Sequence, residues 1–196
     1  KDIEIQHYGY APELDLEMGY YEIELLEEGV KEPLGSGRLI MAPQSCYKQQ
    51  ELLDGKKMWG PSVQLYTLRT QHNWGIGDFG DLKQLVSDIA SRGGDFVGLN
   101  PIHSLFPANP EGASPYSPSS RRWLNILYID VSSVAEFALS AEAQQKVGSA
   151  DFQQRLQKAR DSHWVNYTEV AALKMSVLPM LFAEFKKRHL EKNSDR

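Results

Sequence analysis

The sequence has almost no cysteine and no long apolar segment, and both absences narrow the class of protein. Cys46 is the single cysteine, so an intrachain disulfide is impossible and we expect a reducing compartment, the cytoplasm. No apolar run approaches the roughly 18 residues that span a bilayer. The chain also does not open with a basic segment followed by an apolar one, so the sequence predicts neither a membrane protein nor a signal peptide.

Basic residues are scarce relative to acidic ones. The chain carries 21 Lys and Arg against 26 Asp and Glu, a net charge of −5, which argues against nucleic acid as the main partner. The five histidines form no HxxxH pair and Cys46 has no CxxC partner, so no metal site is predicted. Hydrophobic residues make up 41% of the chain, enough to form a sizeable core.

The acidic residues are concentrated at the beginning of the chain, which indicates two structural units. Residues 1–33 hold ten acids and only two lysines, whereas the remainder is net positive. Alternating apolar positions in 20–28 and a short apolar run at 38–42, separated by Pro and Gly, predict two strands joined by a loop. We therefore assign 1–45 to the end of a β-rich domain, 46–57 to a polar linker and 58–196 to a second domain.

The second domain begins with a pattern typical of a parallel sheet. A strand at 62–68, a helix at 81–92 and a strand at 95–100 form a βαβ unit. A loop rich in Pro and Ser follows at 103–125. Further along, the sequence predicts a short strand at 126–131, helices at 136–145 and 150–160, and a last helix from 166 that Pro179 kinks. Ser133 and Glu136 have the spacing of a capping box at the start of the first of these helices.

Few residues of this domain point to chemistry by type and spacing alone. Residues 75–80 have the GxGxxG spacing of a dinucleotide loop, but no acid follows a second strand at the required interval, which leaves nucleotide binding a minor alternative. Among Asp78, Asp81, Glu111 and Asp130, a pair could act as acid and base. Asp78 and Asp81 stand at a helix start, where helix capping is the favoured role.

Tyr116 lies in the run Ser-Pro-Tyr-Ser-Pro within the long loop. An exposed ring beside small hydroxyls and rigid prolines suits a sugar, because the ring face packs on sugar C–H groups and serine exchanges hydrogen bonds with hydroxyls. The alternative is a tyrosine that pins its own loop to the core. The residues alone leave both interpretations open.

Three segments of the chain resemble one known family. Residues 74–82, WGIGDFGDL, are similar to the first strand-to-helix loop of the amylomaltases, which are 4-α-glucanotransferases. The segment 99–131 (LNPIHSLFPANPEGASPYSPSSRRWLNILYIDV) resembles their second strand and the loop after it, and 165–174 resembles a later helix. Residues 1–45 are similar to the end of the extra N-terminal β-domain of the longer bacterial members.

The resemblance implies an α/β fold, a (β/α)8 TIM barrel with inserted helices. Such a barrel takes roughly 250 residues, more than 58–196 provide. We therefore expect the N-terminal part of the barrel with an inserted helical segment, preceded by the end of a β-rich domain. The barrel would be incomplete, and the chain would be a fragment without activity of its own. A barrel fragment exposes strand edges, so we also expect self-association.

The family transfers α-1,4-glucan segments between maltooligosaccharides with retention, using two carboxylates about 5 Å apart and no dissociable cofactor. The motifs that carry those carboxylates have no counterpart here, so no catalytic residue is assigned. Tyr116 matches the family tyrosine that stacks on the sugar at the cleavage site, and Ser114 matches a nearby sugar contact. His103 stands where other members can carry Gly, so the resemblance gives it no shared role. An α-glucan hydrolase of the amylase type and a non-catalytic α-glucan-binding module remain alternatives.

Overall fold

The computed structural model describes Ile5, His7 and residues 9–191. The chain divides into two compact units, Lys1–Lys56 and Lys57–Arg196. We call them the N-terminal unit and the C-terminal unit.

The N-terminal unit is built on one β-hairpin. Strand β1 (Gly19–Leu25) pairs antiparallel with β2 (Gly35–Met41), in a register that runs from Gly19 opposite Met41 to Leu25 opposite Gly35. The prediction of two strands joined by a loop is confirmed. Every residue of both strands is exposed or half-buried. The segment predicted as a linker contains a four-residue helix, α1 (Gln50–Leu53).

The C-terminal unit begins with the predicted strand–helix–strand element. Strands β3 (Ser62–Val63) and β4 (Gly98–Leu99) are parallel, and helix α2 (Phe79–Ser91) connects them. Both strands are shorter than predicted. After β3 the chain turns into a 3-10 helix at Leu65–Thr67, and the Leu65 N–H donates 3.1 Å to the side-chain Oδ1 of Asn100. A longer strand pair would need a further backbone hydrogen bond at this position. The bond to the Asn100 side chain takes its place, so the pair ends here.

The long loop predicted at 103–125 has structure at both of its ends. Strand β5 (His103–Ser104) pairs antiparallel with β6 (Ser120–Leu124). The next prediction, a strand at 126–131, is wrong, because 3-10 helices occupy Ile126–Tyr128 and Val131–Ser133. The Asn125 side chain accepts a 3.0 Å bond from the Leu127 N–H, and this local bond favours a turn over a strand.

Five α-helices complete the unit. They are α3 (Ala135–Leu139), α4 (Ala141–Val147), α5 (Ala150–Asp161), α6 (Tyr167–Met175) and α7 (Leu178–Phe185), and a π-helical turn follows at Lys186–Leu190. The helix predicted at 150–160 is confirmed. The last helix is interrupted rather than bent, because α7 starts anew with Pro179 in its first turn, where a missing N–H costs little.

Two helix starts differ from their predicted form. The Ser133 hydroxyl donates to the Asp130 carboxylate, and Val134 occupies the N-cap position of α3 without a side-chain bond. The predicted capping box of Ser133 and Glu136 is therefore wrong. The helix predicted at 136–145 is divided at Ser140, whose hydroxyl accepts from the Ala143 N–H and caps α4.

The core of the C-terminal unit consists of two buried apolar clusters, and α6 contributes to both of them. Leu173 belongs to the first, where the Trp74 and Phe152 rings meet edge to face with centroids 5.2 Å apart. Val170 belongs to the second, with Leu65 as a fully buried neighbour. The described part of the unit is thus a mixed α/β structure whose parallel strands do not close into a barrel. Within the residues that are described, no helix is long and apolar enough to cross a membrane.

Candidate functional site

The carboxylates singled out at the start of α2 cap that helix. Asp78 accepts from the backbone N–H groups of Gly80 and Asp81, and the Asp81 carboxylate accepts from the Asp78 N–H in return at 2.9 Å. Asp81 also accepts from the Thr70 hydroxyl at 2.6 Å and the Asn73 amide at 2.9 Å. The predicted capping role of Asp78 and Asp81 is confirmed, and their lone pairs are used within the fold.

Behind this cap lies a buried lysine that sequence patterns did not single out. The Lys174 side chain is fully buried, and its ammonium donates to the backbone oxygens of Leu127 and Ile129, each at 2.7 Å, and to Asp78 Oδ2 at 3.4 Å. Burial lowers the pKa of Lys174 and raises the pKa of Asp78, against the opposing effect that each charge has on the other. This cluster joins α6 to α2, and its ammonium group is fully buried.

The glycines of the GxGxxG spacing serve close packing. Gly75 has a φ of +84°, and a Cβ placed on it would lie 2.8 Å from the Ala159 Cβ. A Cβ on Gly77 would lie 2.0 Å from the Leu65 backbone oxygen. Because only glycine fits such contacts, the fold itself accounts for this spacing, and nothing in it calls for a phosphate.

The loop between β5 and β6, residues 105–119, is anchored at several points; we call it the site loop. The Ser119 N–H donates to the Ser104 oxygen at 2.9 Å, and the Ser119 hydroxyl bonds the Leu105 oxygen. The Leu105 side chain is buried. On the far side, the Thr168 hydroxyl at the start of α6 donates to Glu111, so Glu111, the loop carboxylate, acts as an anchor here.

Tyr116 stands on a tight turn of the site loop. The Ser117 N–H donates 3.2 Å to the Ser114 oxygen, which places Pro115 and Tyr116 at the two central positions. Proline is favoured at the first of these because its ring fixes φ. Pro115 is buried, whereas Tyr116 is 70% exposed. The alternative in which Tyr116 pins the loop to the core is therefore wrong, because Pro115 does so.

Beside this turn is a cleft of about 260 Å³. Pockets that take drug-sized ligands have volumes of about 300–1,000 Å³. The cleft is smaller than these and is suited in size to one sugar ring. Three prolines and a tyrosine ring supply its apolar surface, and a histidine and an arginine supply its polar surface. The lining residues are Pro101, His103, Pro115, Tyr116, Pro118 and Arg121. None of these residues is a carboxylate. We call this the Tyr116 cleft.

The structure brings some predicted site residues together and separates others. Ser114 is exposed on the same turn as Tyr116 but does not line the cleft. Asp78, which is buried beside Lys174, and the half-buried Asp130 do not line the cleft either. Arg121 was missed because its segment was predicted as part of a structureless loop, and only strand pairing brings it beside Tyr116. In the part of the chain described, no three His, Cys, Asp or Glu side chains are grouped so as to hold a metal ion.

Comparison with known proteins identifies relatives of one kind. The family model for 4-alpha-glucanotransferase matches residues 63–196. A 4-alpha-glucanotransferase of Haemophilus influenzae is 42% identical over 172 residues, which cover 88% of this chain and 24% of that protein. One of Mycobacterium tuberculosis H37Rv is 35% identical over 129 residues, covering 62% of this chain and 17% of that protein.

A solved structure gives the same result. The amylomaltase of Corynebacterium glutamicum superposes with a TM-score of 0.70 at 30% identity, over 86% of this chain and 23% of the other. The chain thus spans less than a quarter of the length of these relatives. With the family model matching well over half of its residues, the chain belongs to the 4-alpha-glucanotransferase family.

Proposed function

We propose that this chain supplies part of the substrate-binding face of an amylomaltase, an enzyme that transfers α-1,4-glucan segments between maltooligosaccharides. The observation that carries the proposal is the exposed ring of Tyr116 at the mouth of a cleft of monosaccharide size. Membership of the 4-alpha-glucanotransferase family supports an α-glucan as the occupant.

Tyr116 offers the ring on which a glucose unit stacks. A pyranose presents C–H groups on its faces and hydroxyls around its edge, so an aromatic ring binds the face while polar side chains bind the edge. The turn that carries Tyr116 is closed by a backbone bond and anchored by the buried Pro115. The backbone that carries the ring is thus held in place before substrate arrives, which reduces the entropy lost on binding. Ser114, exposed on the same turn, would bond a sugar hydroxyl.

The chemistry proposed for the whole enzyme is a retaining double displacement. One carboxylate attacks the anomeric carbon while a carboxylic acid protonates the departing oxygen, and the released sugar leaves a glycosyl-enzyme ester. The second carboxylate, now a base, then takes the proton of an acceptor sugar hydroxyl, which attacks the anomeric carbon and frees the first carboxylate. The Tyr116 cleft holds no carboxylate, so its role is to position the sugar rather than to break the bond.

The place of the cleft in the fold also fits this proposal. Pro101 and His103 lie two and four residues after the end of the parallel strand β4 at Leu99. In (β/α)8 barrels, active sites are built from loops after the carboxyl ends of the strands. We propose that β3, α2 and β4 form the first strand–helix–strand element of such a barrel, and that residues 58–196 belong to its N-terminal portion, after a β-rich segment at 1–45 and a linker at 46–57.

Product analysis tests the proposed activity. The full translation product of the reading frame that encodes these residues is incubated with maltotriose, and the sugars are resolved by length. Glucose together with chains longer than maltotriose is the expected result, because a sugar hydroxyl takes the glycosyl group. Shorter sugars alone would show a hydrolase of the amylase type. No turnover, combined with measurable maltotriose binding, would show a non-catalytic binding module.

A further inference from the structure

The Tyr116 cleft contains two polar side chains that the fold does not use. His103 is half-buried and Arg121 is exposed, and both line the cleft. Across the described residues, neither side chain forms a hydrogen bond or an ion pair. The Tyr116 hydroxyl is likewise without a partner in the same residues. Their hydrogen-bonding groups are therefore available to a ligand.

The pairing of β5 with β6 brings the two side chains to one cleft. His103 is paired with Leu124 and Ser104 with Ser120, with a register irregularity between them. Arg121 follows Ser120 directly on β6. Successive side chains of a strand point to opposite faces, and Arg121 lines the cleft whereas its neighbour Arg122 does not.

The chemistry of these groups matches the edge of a sugar ring. A guanidinium carries five N–H donors in one plane, so two of them reach neighbouring hydroxyl oxygens at once. A neutral imidazole adds one donor and one acceptor. In the same cleft, the Tyr116 ring and the prolines offer the apolar surface that a pyranose face requires.

We propose that Arg121, assisted by His103, forms the hydrogen-bonding wall of a glucose subsite whose stacking wall is Tyr116, and that Arg121 determines how tightly this subsite holds an α-glucan. The proposal rests on the proposed function, because it names further residues of the same site. It assigns to His103 and Arg121 a role in holding the sugar, which the resemblance to the family does not imply.

Binding of a maltotriose analogue that cannot be turned over tests this role. The probe is maltotriose with sulfur in place of both bridging oxygens, and its Kd is measured by titration calorimetry on the full translation product. Arg121→Ala should raise the Kd about tenfold, the loss of about 1.4 kcal/mol. His103→Ala should raise it about threefold. The matched control is Arg122→Ala, on the same strand but outside the cleft, with a Kd within twofold of the wild type.

Two further measurements separate the role from a merely structural one. The melting temperature of Arg121→Ala should equal that of Arg122→Ala, because the structure gives neither side chain a packing partner in a core cluster. Since the sugar is neutral, the Kd should also stay within twofold between 50 and 500 mM salt. A Kd that rises steeply with salt would overturn the proposal, because hydrogen bonds to a neutral sugar are not screened in that way.

The remaining outcomes distinguish this inference from the proposed function. If Tyr116→Ala weakens binding and Arg121→Ala leaves the Kd within twofold, the assignment of Arg121 is wrong and the sugar site itself stands. If the wild type does not bind the analogue, or Tyr116→Ala binds as well as the wild type, the proposed site fails and this inference fails with it.

Discussion

Replacing Lys174 with Met should destabilise the C-terminal unit by about 3–5 kcal/mol, the usual cost of removing one partner of a buried ion pair. Methionine fills a similar volume but leaves three acceptors without a donor. They are the backbone oxygens of Leu127 and Ile129 and the Oδ2 atom of Asp78. Each orphaned buried acceptor costs about 1–3 kcal/mol, and such costs overlap rather than add. The raised pKa of Asp78 limits the loss, because a protonated carboxyl no longer carries an unpaired charge.

Urea unfolding followed by tryptophan fluorescence measures this effect. All four tryptophans lie in the C-terminal unit, so the signal reports on that unit alone. The matched control is Lys158→Met on the exposed side of α5, which should change the free energy of unfolding by less than about 0.5 kcal/mol. A loss below about 1 kcal/mol for Lys174→Met would refute the reasoning.

A double variant checks that the orphaned charge is the cause. Asn caps helices about as well as Asp, so Asp78→Asn keeps the cap of α2 and removes the charge. The double variant, with both Asp78→Asn and Lys174→Met, should be more stable than the single variant Lys174→Met. Strict additivity of the two single effects would show that the ammonium and the carboxylate are not coupled.

Four further predictions follow from other contacts. Tyr116→Ala should lower turnover of maltotriose by roughly ten- to a thousand-fold through lost positioning of the sugar, whereas Tyr116→Phe keeps the ring and most of the rate; unchanged kinetics in the alanine variant would contradict the stacking role. Asp81→Ala should cost about 2–4 kcal/mol in urea unfolding, because a cap and two further bonds are lost, against less than about 0.5 kcal/mol for Asp88→Ala on the exposed face of α2. Gly77→Ala should cost about 1–3 kcal/mol, since its Cβ meets the backbone, and wild-type stability would show that the backbone yields freely. Burial raises the pKa of Tyr128 above 10, so the unfolded state loses this proton first and stability should fall as the pH rises above 10, less steeply in Tyr128→Phe; equal pH profiles would argue against that cause.

Local signals in the sequence were sufficient to predict the structure where it depends on residues that are close together along the chain. Asp78 and Asp81 lie three residues apart before an amphipathic run, and the helix and its cap form as predicted. The hairpin β1–β2 was predictable from alternation and turn residues in the same way. Ser133 has an equally good local signal, but Asp130 takes its hydroxyl instead. Whether a serine with such a signal caps its helix therefore depends on whether a nearby side chain competes for its hydroxyl.

Long-range partners explain what could not be predicted. Lysine is rarely buried without compensation, and the groups that compensate Lys174 lie 45, 47 and 96 residues away in the chain. The Tyr116 cleft combines residues from β5, β6 and the loop between them. The immediate neighbours of Tyr116 in the sequence could single it out as a candidate sugar contact, although they left the loop-pin alternative open. The sequence could not indicate Arg121, whose place depends on a strand pair with a register irregularity.

Helix α6 has a consequence for how the site loop responds to heat. Thr168 at its start holds the site loop through Glu111, and the ammonium of Lys174, six residues later, is buried and joins α6 to α2. One helix thus supports both the site loop and the interior of the unit. Slight loosening of α6 on warming would release the loop anchor before the unit melts. Release of the site loop should consequently precede loss of helical signal, and a ligand that fills the Tyr116 cleft should delay both.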